Sequence, residues 1–419
     1  MNLFSKKQCV TLMIMGMRMS SLGIKFIFTV FVTKFLGTEA LGVYGLLAAL
    51  FLTVPGLLSL SMNHSIARDA PVAPKEQTRH DLAFYILYLA GVYLILIPAS
   101  AFYGMHQGNY SFYLMIAVIL FLEHMNNNGY QFCQNLNHSF LSNIMHFIRS
   151  ALWMIVFMIM AYCNPVYATT QIMVILWLAG SAIAAMMLIY TIRDYLRIHI
   201  SVLRGFIAKI RTKYQQNKYD FMHGQLFSLS SYAGLAITEL CLGTAQTGVY
   251  VFFMSIFSAL QNLIRTGIHQ VTRGDMIISH HHAQHEQFRM QLRDLSKKTC
   301  IYSSILALIS LPAIYLIVHY VVKDAAISDT MPIFPLILLS FAIMNHAEVY
   351  KVAFYCARND QVLMRQYAMM TGISIALSVP LCVYGGLFGA FVALFISACL
   401  YYYAFRRQAK KHGFIYSES

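Results

Sequence analysis

The sequence predicts an all-α, multi-pass membrane protein of about twelve transmembrane helices in two parallel six-helix halves. Three observations carry that expectation. Of 419 residues, 58% are hydrophobic and 11% charged, against roughly 45–50% and about 25% in soluble domains. Apolar runs of spanning length recur along the whole chain, and a nine-residue motif appears twice at an offset of 206. The mean hydropathy of +0.60, with 29 Phe and 27 Tyr, also excludes a disordered chain.

A hydrocarbon core of about 30 Å takes roughly 20 helical residues. This places spans near 10–34, 41–61, 82–103, 111–133, 141–163, 168–191, 220–240, 247–269, 299–321, 331–353, 366–384 and 386–405. The first follows Lys6 and Lys7, shows no small-residue cleavage site and is itself long enough to span, so it reads as a retained helix and not a signal peptide. The second contains Pro55-Gly56, and Pro98, Pro312, Pro335 and Pro380 stand in later spans. Each proline removes a backbone hydrogen bond and marks a helix able to bend. The seventh is the most polar, with Gln225, Ser228, Ser230, Ser231 and Tyr232, and belongs inside the bundle, away from lipid. The eight cysteines lie mostly in apolar segments without a CxxC, so they define no disulfide or metal framework.

The net charge of +14 comes from 30 Lys+Arg against 16 Asp+Glu. With both termini inside, the cytoplasmic segments collect nearly all loop cations, from Lys6, Lys7, Arg68, Lys75 and Arg79 through the basic stretch 193–218 to Arg406, Arg407, Lys410 and Lys411. The outer loops hold only Lys323. That asymmetry sets the orientation and removes any need for nucleic acid as a partner.

Leu36-Gly37-Thr38-Glu39-Ala40-Leu41-Gly42-Val43-Tyr44 recurs at 242–250 with six identities in nine positions. Each copy follows the first span of a six-span set, so the halves share one orientation. The expected organisation is an N-terminal bundle at 1–192, a cytoplasmic linker at 193–219, a C-terminal bundle at 220–405 and a tail at 406–419.

Phe35-Leu36-Gly37 to Gly42-Val43-Tyr44, the copy at 242–250 and Gly385-Gly386-Leu387-Phe388-Gly389-Ala390 resemble polysaccharide-biosynthesis flippases. These are the O-antigen (Wzx-type) members of the multidrug/oligosaccharidyl-lipid/polysaccharide (MOP) exporter superfamily. The resemblance runs over essentially the whole chain, through loose motifs. It implies two six-helix bundles opening alternately to either side of a bacterial inner membrane, and no enzymatic activity. It implies an undecaprenyl-diphosphate-linked oligosaccharide as cargo, with a polymerase and other polysaccharide-assembly proteins as partners. It further implies a cavity lined mainly by spans one, two, seven and eight.

Six cations fall within spans: Arg18, Lys25, Lys34, Arg149, Arg265 and Lys351. On insertion scales each costs roughly 2.5–3.5 kcal/mol at mid-depth, so those near the centre should face water, a partner or a ligand. Lys34 near the outer end is expected to snorkel. Arg149 either snorkels or braces span five, and Lys351 stands one helical step from Glu348 as a structural pair. Arg18 and Lys25, seven apart with Ser21 between, form a cationic stripe. In span eight Ser255, Ser258, Asn262, Arg265 and His269 share a face. A diphosphate calls for such cations, which makes Arg18, Lys25, Arg265 and Asn262 the candidate substrate-binding set, with Lys25 and Arg265 expected at one cavity between the halves.

Glu123 shares a face with Asn127, Tyr130, Gln134 and Asn137. Glu123, Asn127 and Glu348 are candidates for sugar contact or for a coupling ion, H+ or Na+. A hydrogen-bonded interhelical contact is the alternative for Glu123. His280, His281, His282 and His285 have no second ligand cluster nearby, so the site set contains no metal and no cofactor, and these histidines read as a solvated loop.

Two other functions compete. A membrane polymerase or ligase of the same pathway resembles this chain in hydrophobicity, but such enzymes resemble one another in a long, charged outer loop, and the outer loops here are short. A small-molecule exporter of the same superfamily would need an acidic cavity for cationic drugs, against which stand six intramembrane cations and three acids, Glu123, Glu239 and Glu348.

Overall fold

A straight helix over all 54 residues of α1 (Lys6–Ser59) would be more than twice the length a bilayer takes. The chain breaks it at Gly37, whose φ of 88° and ψ of 173° fall in a region essentially reserved for glycine. The first two expected spans are the arms of this helix. The same device divides α14 (Asp360–Lys411), which turns at Gly386 (φ 57°, ψ −145°) into the last two.

The computed structural model describes residues 6–70, 73–136, 138–196, 205–357 and 359–415. Between α1 and α14 come α2 (Met62–Asp69), α3 (Lys75–His106), α4 (Tyr110–Asn135), α5 (Ser139–Phe147), α6 (Trp153–Cys163), α7 (Thr170–Ile192) and α8 (Phe206–Leu242). They are followed by α9 (Thr244–Ile264), α10 (Gln270–His281), α11 (His285–Leu316), α12 (Ala325–Thr330) and α13 (Phe334–Cys356), and no strand occurs among the described residues. Among the described residues eight helical stretches combine spanning length with high apolarity. Those of α1 and α14 hold two expected spans each, and α4 and α8 hold the others, their apolarity lowered by residues such as Asn126, Asn127 and Asn128 or Ser230 and Ser231.

Among the described residues three π-turns interrupt the helices, at Ile148–Leu152 joining α5 to α6, at Arg265–His269 joining α9 to α10, and at Ile317–Val322 after α11. Pro55, Pro98, Pro312 and Pro380 lie inside helices as expected. Pro335 is the exception. It stands in the first turn of α13, where its missing N–H has no intrahelical partner to lose.

The described residues form two compact units. Unit 1 takes α1 up to Phe28 and then Leu47–Gln225; unit 2 takes Thr29–Leu46 and Leu226 onward. The core of unit 1 is aromatic: Trp153 stacks on Trp177 with centroids 5.0 Å apart, Phe28 meets Trp153 edge-on at 5.3 Å, and Phe51 meets Trp177 at 4.9 Å. In unit 2, α13 packs against α9, α10, α11 and α14. Phe253, Phe334, Phe341, Phe354, Phe391 and Phe405 are fully buried there.

Unit 2 also holds both copies of the repeated motif. Gly243, with φ 82° and ψ 175°, reproduces the backbone of Gly37. A Cβ on Gly248 would lie 1.7 Å from the Thr38 carbonyl oxygen, and one on Gly42 would lie 2.3 Å from that of Thr244. Thr38 corresponds to Thr244 and Gly42 to Gly248, so the contact is reciprocal, as at a two-fold interface. Small residues four apart let two helices approach this closely in a membrane.

Candidate functional site

Unit 2 encloses a cavity of about 380 Å³, within the range of small-ligand pockets. α8 supplies Ser230 and Ser231, α9 supplies Ser258, Gln261 and Asn262, and the π-turn after α9 supplies Arg265 and His269. Asn345 and Glu348 come from α13, and Tyr367 and Tyr401 from the two arms of α14. The polar stretch of span seven, expected inside the bundle and away from lipid, turns Ser230 and Ser231 to this cavity of unit 2. Ser230 and Ser231 are exposed and line the cavity.

The predicted face of span eight brings Ser258, Asn262, Arg265 and His269 to one wall. Ser255 instead donates to the Phe252 carbonyl at 2.7 Å. Opposite, Lys351 Nζ donates to Glu348 Oε1 at 3.1 Å, the expected pair, and lies 5.2 Å from the centroid of Tyr367. His269 is buried, with Nε2 3.1 Å from Thr299 Oγ1. Arg265 and His269 lie within electrostatic reach of Glu348.

Unit 1 gathers the other predicted residues into two hydrogen-bonded sets. Arg18 Nη2 donates to the Tyr130 hydroxyl at 2.7 Å and Nε donates to Asn143 Oδ1 at 3.1 Å, while Gln134 Nε2 donates to the same hydroxyl at 2.8 Å. In the second set Arg149 Nη1 lies 3.4 Å from Glu123 Oε2, and Arg149 Nη2 donates to Asn127 Oδ1 at 2.7 Å. Glu123 Oε1 accepts from Ser181 Oγ at 2.6 Å and from Trp177 Nε1 at 3.3 Å. Arg149 thus braces span five. Lys25 is within electrostatic reach of both Arg149 and Glu123.

Ser21, expected to add polarity between Arg18 and Lys25, is buried and donates to the Met17 carbonyl at 2.9 Å, so its hydroxyl is used within its own helix. Asn137 lies outside the described residues. Lys34 is exposed, with Nζ 5.7 Å from the Phe35 ring centroid. His281, His282 and His285 are exposed, as a solvated loop requires, and His280 packs against Phe288 and Phe414.

Sequence reasoning missed Tyr367, Tyr401 and Gln261 at the cavity. It also missed the buried triad in which Tyr85 and Tyr93 hydroxyls flank the His124 ring nitrogens at 3.1 and 3.0 Å. Tyrosine is frequent along the chain, and only packing singles these out. Arg149 and Arg265 both stand in π-turns, a local widening of the helix that often marks functional positions. Neither has a sequence signature.

No known family profile matches the sequence, and no curated protein matches it. Solved structures do. An inward-facing multidrug resistance MATE transporter of the MOP superfamily superposes with a TM-score of 0.71 at 11% identity, over 94% of this chain and 95% of the other. The lipid II flippase MurJ in an inward closed conformation gives 0.73 at 14%, over 95% and 87%. An outward-facing MATE transporter of the superfamily gives 0.64 at 13%, over 96% and 94%. The chain has the fold of MOP-superfamily transporters. The likeness is one of fold, shared by exporters and a flippase; the cargo must be argued from the polar sites.

Proposed function

We propose that the protein is a flippase that carries an undecaprenyl-diphosphate-linked oligosaccharide, an O-antigen or similar surface-polysaccharide unit, from the cytoplasmic to the periplasmic leaflet of a bacterial inner membrane by alternating access. One observation supports this cargo over a cationic drug. The unit 2 cavity presents Arg265 beside Asn262, Gln261 and serine hydroxyls, while Glu348, the carboxylate among its described lining residues, is charge-matched by Lys351. The balance at the wall is cationic. A guanidinium can grip two phosphate oxygens, and the amide and hydroxyl groups suit sugar hydroxyls.

In unit 1 the Arg18 and Lys25 stripe gives a second set of cations, to which we assign anion binding. We assign coupling to Glu123, where an arriving H+ or Na+ would take the place held by Arg149. Both termini are proposed to be cytoplasmic, and polymerase and other assembly proteins are the proposed partners on the receiving side.

The test is display of surface polysaccharide in cells relying on this chain. Arg265→Ala, present in the membrane at the normal level, should abolish display and leave the lipid-linked unit on the cytoplasmic side. Normal display would remove the phosphate role. Proteoliposomes that expel a cationic dye but leave a fluorescent diphosphate lipid unflipped would establish the exporter reading in its place.

A further inference from the structure

A second cavity in unit 2, of about 560 Å³, opens between the two arms of α14 and takes no part in the transport site above. Its mouth is cationic: Arg365 comes from the start of the helix, and Arg407 and Lys411 come from its end, all three exposed. No carboxylate lines it among the described residues. Its inner walls are apolar, with Met369 on one arm and Leu400 on the other. At 1.5 Å per residue, Leu400 stands about 16 Å along the helix from Lys411. Charge and apolar surface are therefore separated along the helix axis, as the head and chain of a lipid are.

Gln366 gives an independent sign of a ligand. It lines the groove, is 4% exposed, and its Oε1 has no hydrogen-bond partner among the described residues. A buried acceptor left without a donor is unfavourable, and a headgroup hydroxyl would fill it once the terminal amide turns toward the groove.

We infer that this groove binds one anionic phospholipid with a hydroxylated headgroup, of the phosphatidylglycerol class. The phosphate sits among Arg365, Arg407 and Lys411, a headgroup hydroxyl donates to Gln366, and an acyl chain follows Met369 and Leu400. The cations lie at the face that the Lys/Arg distribution assigns to the cytoplasm, where anionic lipid attracts basic pockets between helices. A free phosphate would use the cations alone and would need no apolar wall.

The experiment uses the full chain, purified in neutral detergent and stripped of lipid, with bound lipid read by native mass spectrometry and thermal midpoint read in parallel. Dioleoyl phosphatidylglycerol, dioleoyl phosphatidylcholine and inorganic phosphate are titrated separately. Phosphatidylglycerol should bind as a single tight equivalent and raise the midpoint, and the other two should do neither. Arg407→Gln with Lys411→Gln should weaken its binding roughly fivefold for each charge removed. Gln366→Leu should weaken it while leaving the lipid-free protein at least as stable as the wild type. Equal binding of the two phospholipids, a shift from inorganic phosphate matching that from phosphatidylglycerol, or unchanged binding by the charge variant would each overturn the inference. The comparison of lipids on the wild type does not depend on any variant folding.

Discussion

Replacing Glu123 by Gln should destabilise unit 1 by an amount set by what it leaves behind. The Glu123 and Arg149 side chains are 8% and 9% exposed and lie 3.4 Å apart. Removing one partner of such a pair leaves the other charge buried, at a cost of about 3–5 kcal/mol. Gln retains an oxygen for Ser181 and Trp177, whereas Leu does not. Glu123→Leu should therefore cost about 2–6 kcal/mol more, because it strands two further buried donors at about 1–3 kcal/mol each. Arg149 keeps Asn127 in either case, which is one hydrogen bond against a full charge. Combining Glu123→Leu with Arg149→Met should recover much of the loss, since apolar replacement of a whole buried pair is often neutral. The assay is a double-mutant cycle on reversible unfolding in mixed micelles. Glu123→Gln within about 0.5 kcal/mol of wild type, or a cycle whose coupling is zero, would refute the reasoning, because such surface-like behaviour belongs to an exposed pair. The same variant tests coupling: vesicle transport that responds as before to the H+ or Na+ gradient would leave Glu123 a brace alone.

Other outcomes follow from the same geometry. Gly248→Ala should lower the thermal midpoint and the abundance of the protein, because its Cβ would fall 1.7 Å from a backbone oxygen that no side-chain rotation can move. Gly37→Ala meets no atom within 4 Å, so its cost should be the backbone strain alone, about 1–3 kcal/mol, and Gly243→Ala should match it. Lys25→Ala should abolish polysaccharide display and Lys25→Arg should retain part of it; equal loss in both would show that more than the charge is needed. A reporter fused after Lys411 and active only in the periplasm should stay silent, and activity there would invert the proposed topology.

Read from the residues alone, the spans, the duplicated motif and the Glu348 and Lys351 pair were legible, because each depends on neighbours in sequence. A run of apolar residues is self-declaring in a bilayer, and a charge pair three residues apart meets on any helix. The polar face of span eight was legible for the same reason, since helical periodicity alone groups Ser258, Asn262, Arg265 and His269. Tertiary structure decided what those faces meet. Arg149 and Glu123 are 26 positions apart, and only packing of α4 beside the α5 to α6 π-turn makes them a pair. The hydroxyl of Ser21 looked available until its helix was seen to bond it internally, and the polarity of Ser230 and Ser231 marked a bundle-facing stretch without showing which helices would share their cavity. The repeat carries both lessons: Gly37 and Gly243 could be matched by eye, but that Thr38 rests on Gly248 while Thr244 rests on Gly42 is a contact across some 200 residues. Local pattern specifies which element forms and which face is polar; the partner of that face is chosen by the steric fit of distant segments, which no local pattern encodes.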